Sequence, residues 1–358
     1  MTTTPAPTAA PAGRPRGLLT TTCAVLLAAV LARPGWIPTA PGHLGSLTDT
    51  MLPWTALALP ALIAAALLRR SRTALAAVAL PLALWLTAFG GTLADKSAPG
   101  GDLTVVSHNV NQDNPDPRDT ARRLLAAHPD ILALEELSPE TAPAFARALT
   151  PAYRHHFHQG TVGIWSVHPL RDARILPIMP WSRALRATAE TPHGPLTVYV
   201  AHLPSVRVHP TAGFTTAARD AALRRLSAHI RAEKAPRSLL VGDLNGSAGD
   251  RALRPLTSRF ASAQETAGAG FGFTWPSGFP VVRIDQILVR GVRATSARTL
   301  PATRSDHLPV AATITFRRAR AHDLSNGGGQ SDELRAATGS SLQADHRAGP
   351  AALPRRSA

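Results

Sequence analysis

The chain has 358 residues, a formal net charge of +15, 44% hydrophobic residues and one cysteine. With only 17% charged residues it is not disordered throughout, and a single cysteine excludes a disulfide scaffold or a cysteine-based zinc site. The charge is spread as +5 over residues 1–100, +7 over 101–316 and +3 over 317–358, without the dense basic run of a nucleic-acid-binding arm.

In chain order, residues 1–16 read as a cytoplasmic N-terminal segment and 17–94 as three transmembrane helices. The apolar stretches are Leu18–Ala32, Met51–Leu68 and Thr73–Ala94. The second and third are uncharged and long enough for a ~30 Å hydrocarbon core, whereas the first is shorter and has the features of a signal-peptide core after Arg14 and Arg16. Arg69, Arg70 and Arg72 crowd the loop between the second and third stretches, so the positive-inside rule places that loop in the cytoplasm and everything after Ala94 outside. Trp36 and Trp54 suit an interfacial position, and Trp85 suits a helix–helix contact.

Residues 101–316 alternate strand and helix patterns. Leu103–Val110, Asp130–Glu135, Leu196–His202, Ser238–Asp243, Ile284–Arg290 and Leu308–Phe316 read as strands, and Asp116–His128 and Thr216–Ile230 as helices. This predicts an α/β domain with a central sheet system covered by helices. Residues 317–358 show no period and read as a disordered basic tail.

Polar residues gather where the strands end: His108, Asn109 and Asn111; Glu135 and Glu136; His202; Asp243 and Asn245; Asp285; and Ser305, Asp306 and His307. Any one alone is an ordinary cap or turn residue. Together they form a set of oxygen donors and histidines suited to Mg²⁺ or Mn²⁺ and to phosphoester hydrolysis, which needs a metal, an activated water and cationic donors. His155, His156 and His158 alternate along a strand and lack a carboxylate partner, so they read as scattered over two faces. Arg183, Arg186 and Arg207 are able to meet a phosphate or lipid headgroup but read as solvated; Trp275 reads as a loop anchor packed on the core, in a loop of the kind that borders a substrate cleft, and Gly327–Gly329 as linker.

Over residues 103–316 the order of these motifs resembles the endonuclease/exonuclease/phosphatase superfamily. The resemblance rests on Ser107-His108-Asn109-Val110, Ile131–Glu136, Gly163–Leu170, Ala201-His202-Leu203, Gly242-Asp243-Leu244-Asn245, Arg283-Ile284-Asp285 and Ser305-Asp306-His307. It implies a four-layer α/β sandwich, two central sheets flanked by helices, following the membrane helices. It also implies roles. Glu136 is the main metal ligand, aided by Asn109 and Asp306; Asp243 aligns or deprotonates the attacking water; Asn245 binds the scissile phosphate, as does Asn109. His307 donates to phosphate with its tautomer set by Asp285, and His202 is a second phosphate donor. Two departures stand out: Asn111 where some members carry an aspartate ligand, and Gln286 after the aspartate, which bears on substrate contacts.

Three spans followed by this domain are also similar to the teicoplanin-resistance-associated (VanJ-like) membrane proteins of actinobacteria. That likeness implies hydrolysis of a polyprenyl pyrophosphate on the outer face of the cell membrane, acting on cell-wall precursor cycling and glycopeptide resistance. A membrane-tethered extracellular nuclease or phosphodiesterase acting on DNA or phospholipid is the alternative. A catalytically silent scaffold is disfavoured by the intact acid–histidine set.

Overall fold

A computed structural model describes residues 17–40, 42–209, 211 and 213–316. The cytoplasmic segment 1–16 and the basic tail 317–358 expected from the sequence lie outside the described residues. Four helices come first: α1 (Leu18–Ala32), α2 (Leu44–Met51), α3 (Ala58–Leu68) and α4 (Arg72–Leu93). A 3₁₀ segment, Leu52–Leu57, joins α2 to α3, so Leu44–Leu68 is one helical run of 25 residues. This run and the 22-residue α4 are long and apolar enough to cross a membrane by length and composition. The first expected span is shorter: α1 has 15 residues, a rise of about 23 Å.

The second span also begins earlier than its apolar pattern suggests. Gly45, Ser46, Thr48, Asp49 and Thr50 are poor interior helix formers, but α2 is held by partners outside it. Asp49 pairs with Arg251 at 2.7 Å, and Ser46 donates to Asp250. The same ties continue higher up. Trp54 donates to the Val281 carbonyl at 2.7 Å and stacks on Phe273. Trp85 donates to the Pro53 carbonyl and meets Phe271 edge-on. Trp85 thus meets both the helical run and the body that follows, and Trp54 is fixed to protein. Helices and body form one compact unit.

That body contains two six-stranded mixed sheets. Its elements are β1 (Leu103–Asn109), α5 (Pro117–Leu125), β2 (Ile131–Glu135), α6 (Ala142–Leu149), β3 (His155–Gln159), β4 (Val162–Ser166), β5 (Leu170–Ile175), β6 (Ala184–Thr191) and β7 (Gly194–Ala201). They continue with β8 (Val208–His209), β9 (Gly213–Phe214), α7 (Ala217–Ala232), β10 (Ser238–Asp243), α8 (Arg254–Thr257), β11 (Ala261–Ser262), α9 (Ala263–Ala267), β12 (Asp285–Arg290), β13 (Arg293–Thr299) and β14 (Val310–Thr315). The first sheet runs β13-β14-β1-β2-β4-β3 and the second β11-β12-β10-β7-β6-β5, while β8 and β9 form a separate hairpin.

Three apolar clusters stack these layers. Val105, Ile131, Val198, Val241 and Ile287 fill the space between the sheets. Val106, Leu132, Leu124 and Phe145 pack α5 and α6 on the outside of the first sheet. Tyr199, Leu240, Leu226 and Ile230 pack α7 on the outside of the second. The result is the helix–sheet–sheet–helix order that the resemblance implies.

Candidate active site

Strand parity decides which polar residues meet. Side chains alternate across a strand, so Ser107 and Asn109 follow Leu103 and Val105 to the face between the sheets, while His108 turns to the other face. There His108 is fully buried against the Thr303 hydroxyl at 2.8 Å, and burial lowers its pKa to about 3. In β10 Asp243 follows Leu239 and Val241 inward, and in β12 Asp285 shares the face of Ile287 and Val289.

Register then brings the ends together. β1 and β2 are parallel, with Asn109 opposite Glu135. β7 and β10 are parallel, and β10 and β12 are antiparallel with Asp243 opposite Asp285. The strand ends of both sheets therefore deliver their side chains to one edge. Gly242 allows this closeness: its φ is +130°, and a Cβ there would sit 2.1 Å from the Ala201 carbonyl oxygen. Gly242→Ala is expected to lower stability by about 1–3 kcal/mol and to reduce activity, because Asp243 is the next residue; a melting curve and a phosphate-release assay check both.

Asp243 is the hub. One of its oxygens, Oδ2, accepts from Asn109 Nδ2 and Asn245 Nδ2, each at 3.1 Å, and Oδ1 accepts from the Asn245 backbone N–H at 2.9 Å. His202 Nε2 and His307 Nε2 lie 3.7 and 3.9 Å from Oδ2. Burial and the neighbouring Asp285 carboxylate push Asp243 up to about 7. His307 Nδ1 is 2.9 Å from Asp285 Oδ2. Burial opposes the charge on His307, but the Asp285 charge and hydrogen bond outweigh it and raise its pKa to about 10. Burial likewise opposes the charge on Asp285, and His307 outweighs it, holding Asp285 below the usual carboxylate range.

Around this hub the other expected residues divide. Glu136, at φ +60°, lies half-exposed in the cleft with Oε1 3.4 Å from His202 Nε2. Glu135 is instead fully buried, accepts from Ser107 at 2.9 Å, and is pushed well above the carboxylate range by burial and by Asp285. The Asn111–Gln112 turn touches all three residues expected to hold a metal. The Asn111 N–H donates to Asn109 Oδ1 at 3.1 Å and the Asn111 amide to Asp306 Oδ1 at 3.2 Å; the Gln112 N–H donates to Glu136 Oε2 at 3.3 Å. Asn111, in place of an aspartate, thus serves as a brace for Asp306.

Four residues behave differently from their sequence reading. Arg183 is not a solvated arginine: its guanidinium lies 2.6 Å from His202 Nδ1, and its charge faces Glu136 and Asp243. Burial first, then this guanidinium, hold His202 well below its ordinary pKa, so the ring is neutral. The β6–β7 pairing, which puts Arg183 beside His202, is the signal for it. Trp275 does not pack into the core; it is 39% exposed, lines the cleft and donates to Asp306 Oδ2 at 3.3 Å. Gln286 is fully buried and gives its amide to the Gly246 and Arg283 carbonyls. Its parity is opposite to that of Asp285, so it braces loops and does not reach substrate. Arg186 is not solvated either: it is buried and pairs with Glu233 behind the sheet, whereas Arg207 is exposed and borders the cleft. His155 and His158 lie on edge strand β3, where His156 stacks on Trp165.

Asp243, Asp285 and His307 each bring a ligand atom within 4.8 Å of the others, a buried grouping able to hold a divalent ion. The residues expected to bind a metal, Glu136, Asp306 and Asn109, offer carboxylate and amide oxygens without thiols, which fits a hard cation. Burial first, and then the Asp285 charge, raise the pKa values of Glu135 and Asp243, and a cation relieves the like-charge part of that cost.

The Endonuclease/Exonuclease/phosphatase family model matches residues 106–307. An endonuclease/exonuclease/phosphatase family protein from Bacteroides thetaiotaomicron is similar in structure, with a TM-score of 0.51 at 15% identity over 62% of this chain and 100% of its own. The endonuclease/exonuclease/phosphatase from Bacteroides vulgatus gives 0.50 at 17% identity over 61% and 100%. D. rerio TDP2 complexed with single strand DNA product gives 0.50 at 21% identity over 60% and 98%. At these identities the likeness is one of fold. No match was found among curated proteins. The family match spans more than half of the chain and takes in the converging residues from Asn109 to His307, so the chain belongs to the Endonuclease/Exonuclease/phosphatase family and is a phosphoester hydrolase.

Proposed function

We propose that the chain is a membrane-anchored, Mg²⁺-dependent phosphoesterase with an extracytoplasmic active site, hydrolysing a lipid-linked polyprenyl pyrophosphate and so acting on cell-wall precursor cycling and glycopeptide resistance. One observation carries this reading: Leu47, Thr50 and Met51, on the helical run that continues into α3, line the same cleft as Glu136, Asp243 and His307. A soluble substrate does not need its active site walled by an anchor helix.

The helix arrangement supports the orientation. α1 starts against Ser71, beside the Arg69–Arg72 loop, and its other end meets the catalytic body, where Arg251 donates to the Pro34 carbonyl. The arginine loop and the body therefore lie at opposite ends of the helices, and the positive-inside rule assigns the body to the outer side. Lys96 closes the body end of α4, donating to the carbonyls of Gly91 and Ala94. In this reading residues 17–94 form the anchor, 101–316 the catalytic domain, and the flanking 1–16 and 317–358 a cytoplasmic segment and a disordered basic tail.

The site residues take the following roles. Asp243, with a pKa near neutrality, orients and deprotonates the attacking water. The His307 imidazolium, kept charged by Asp285, donates Nε2–H to phosphate oxygens as they gain charge. Asn245, Asn109 and neutral His202 donate to the same phosphate, and Arg183 adds positive charge behind His202. Glu136, Asn109 and Asp306 would hold Mg²⁺, or Mn²⁺, leaving the His307–Asp285 pair to act on the phosphate. When bound, the ion supplies Lewis-acid neutralisation of the phosphate charge.

Full-length protein in detergent micelles is expected to release phosphate from a polyprenyl pyrophosphate. EDTA is expected to lower the rate at least 100-fold and Mg²⁺ to restore it. Cleavage of plasmid DNA or phospholipid without any release from the pyrophosphate overturns this substrate in favour of the second reading, to which the +7 charge of residues 101–316 lends modest support. Alkaline phosphatase fused after Lys96 is expected to be active; an inactive fusion in a well-expressed protein overturns the orientation.

A further inference from the structure

We infer that the cleft carries a dedicated site for the hydrocarbon chain of its substrate, built jointly by the anchor helix and the β8–β9 hairpin. This rests on the lipid-linked reading above and extends it from the phosphate to the rest of the molecule.

The cleft has a volume of about 600 Å³ and a mixed lining. Glu136, Asp243 and His307 supply its chemistry. Its apolar lining includes Leu47 and Met51 from α2, Val208 and Phe214 from the hairpin, and Val281 from the loop before β12, with Arg207 beside Val208. Two of these are conspicuously wet for their type, Val208 at 72% exposed and Met51 at 38%. Large apolar side chains left open in a catalytic cleft mark a surface that awaits an apolar occupant.

The wall is built to hold its shape. The Phe214 N–H donates to the Gly42 carbonyl at 2.9 Å, and Thr216 Oγ1 lies 2.9 Å from His43 Nδ1. The backbones approach so closely that a Cβ on Gly213 would lie 2.7 Å from Gly42 Cα. The lead-in to the anchor and the hairpin are therefore one structure. Neither part alone supplies this apolar lining.

Continuity identifies the occupant. Past Met51 the chain runs through Leu52–Leu57, with Leu57 68% exposed, into the apolar helix α3. A flexible hydrocarbon attached to a phosphate held at His307 and Asp243 would find apolar side chains in the cleft lining and along the helical run that continues from it. A nucleic acid or a sugar phosphate would instead lay polar groups on these side chains at a desolvation cost.

The test compares pyrophosphates that share a head and differ in chain. Full-length protein in micelles is assayed with isopentenyl (five-carbon) and geranylgeranyl (twenty-carbon) pyrophosphate, and kcat/KM is taken for each. Wild type is expected to favour the longer chain at least 100-fold. Val208→Ser, at an exposed position where folding is not at stake, is expected to lower that ratio about tenfold, and Val208→Ser with Met51→Ser further. Val208→Leu, which keeps an apolar side chain there, is expected to keep the wild-type ratio. Equal rates on the two pyrophosphates, or variants that lower both rates with the ratio intact, overturn the chain site and leave the phosphatase reading standing. Turnover of DNA with neither pyrophosphate cleaved overturns both.

Discussion

Asp243→Asn is expected to lower kcat by about 10²–10⁴-fold, the usual weight of a general base, with a smaller effect on KM. The buried environment makes this substitution more telling than most. Asp243 accepts three N–H groups, two on Oδ2 from Asn109 and Asn245 and one on Oδ1 from the Asn245 backbone. An asparagine must point its own NH₂ at one of these donors, leaving at least one buried donor unpaired at about 1–3 kcal/mol. Against that, the change removes a buried charge beside Asp285; burial and then that neighbouring charge already push Asp243 up to about 7. The two effects oppose each other, so the melting temperature is expected to move little while turnover collapses. Phosphate release at saturating substrate together with a melting curve checks this. A variant that retains more than a tenth of wild-type kcat would sink the assignment of Asp243 as the base.

Arg219→Met carries the largest expected effect on stability, at a position with no place in the chemistry. Arg219 is 0% exposed and sits where three parts of the molecule meet. Its guanidinium donates to Asp250 Oδ2 at 2.7 Å, to Ser46 Oγ of α2 at 3.1 Å, and to the Asn245 carbonyl at 3.0 Å. Asp250, itself fully buried, also accepts from Ser46 and from the Ala252 N–H. Losing the cation leaves Asp250 buried and unpaired, at a cost of about 3–5 kcal/mol. For a body of this size that is a fall in melting temperature of roughly 6–20 °C. Because the same guanidinium holds the Asn245 carbonyl, activity is expected to fall as well. Adding Asp250→Leu removes the orphaned charge and is expected to recover part of the stability. A shift under 3 °C for the single variant would show that α2 and the catalytic loop are not coupled through this residue.

Much of the site was legible because each of its residues lies at the end of a strand that the apolar pattern already marks. Asn109, Glu136, His202, Asp243, Asp285 and His307 were all accessible to that reasoning, and parity alone separates Asp285 from Gln286 and Asn109 from His108. What escaped has a common cause. Arg183 acts through a partner one strand away, Trp275 through Asp306 31 residues on, and both look like ordinary surface or loop residues until the pairing is known. The start of the second apolar helix was missed for the complementary reason. Leu44–Met51 is poor helix sequence, and it is helical because Asp49 and Ser46 find Arg251 and Asp250 some 200 residues away.

The charge with which the chain introduces itself illustrates the same division. Composition and spacing by themselves determined that apolar helices precede an α/β body, and that carboxylates and histidines suited to phosphoester chemistry close the strands. These follow from local rules: periodicity, length and the company a residue keeps along the chain. Only the tertiary structure decided that Asp243 and Asp285 face each other, that one arginine sits behind a histidine in the cleft, and that the apolar helical run from Leu44 forms a wall of that cleft. Those facts depend on strand register and on contacts between residues far apart in sequence, which no local pattern encodes.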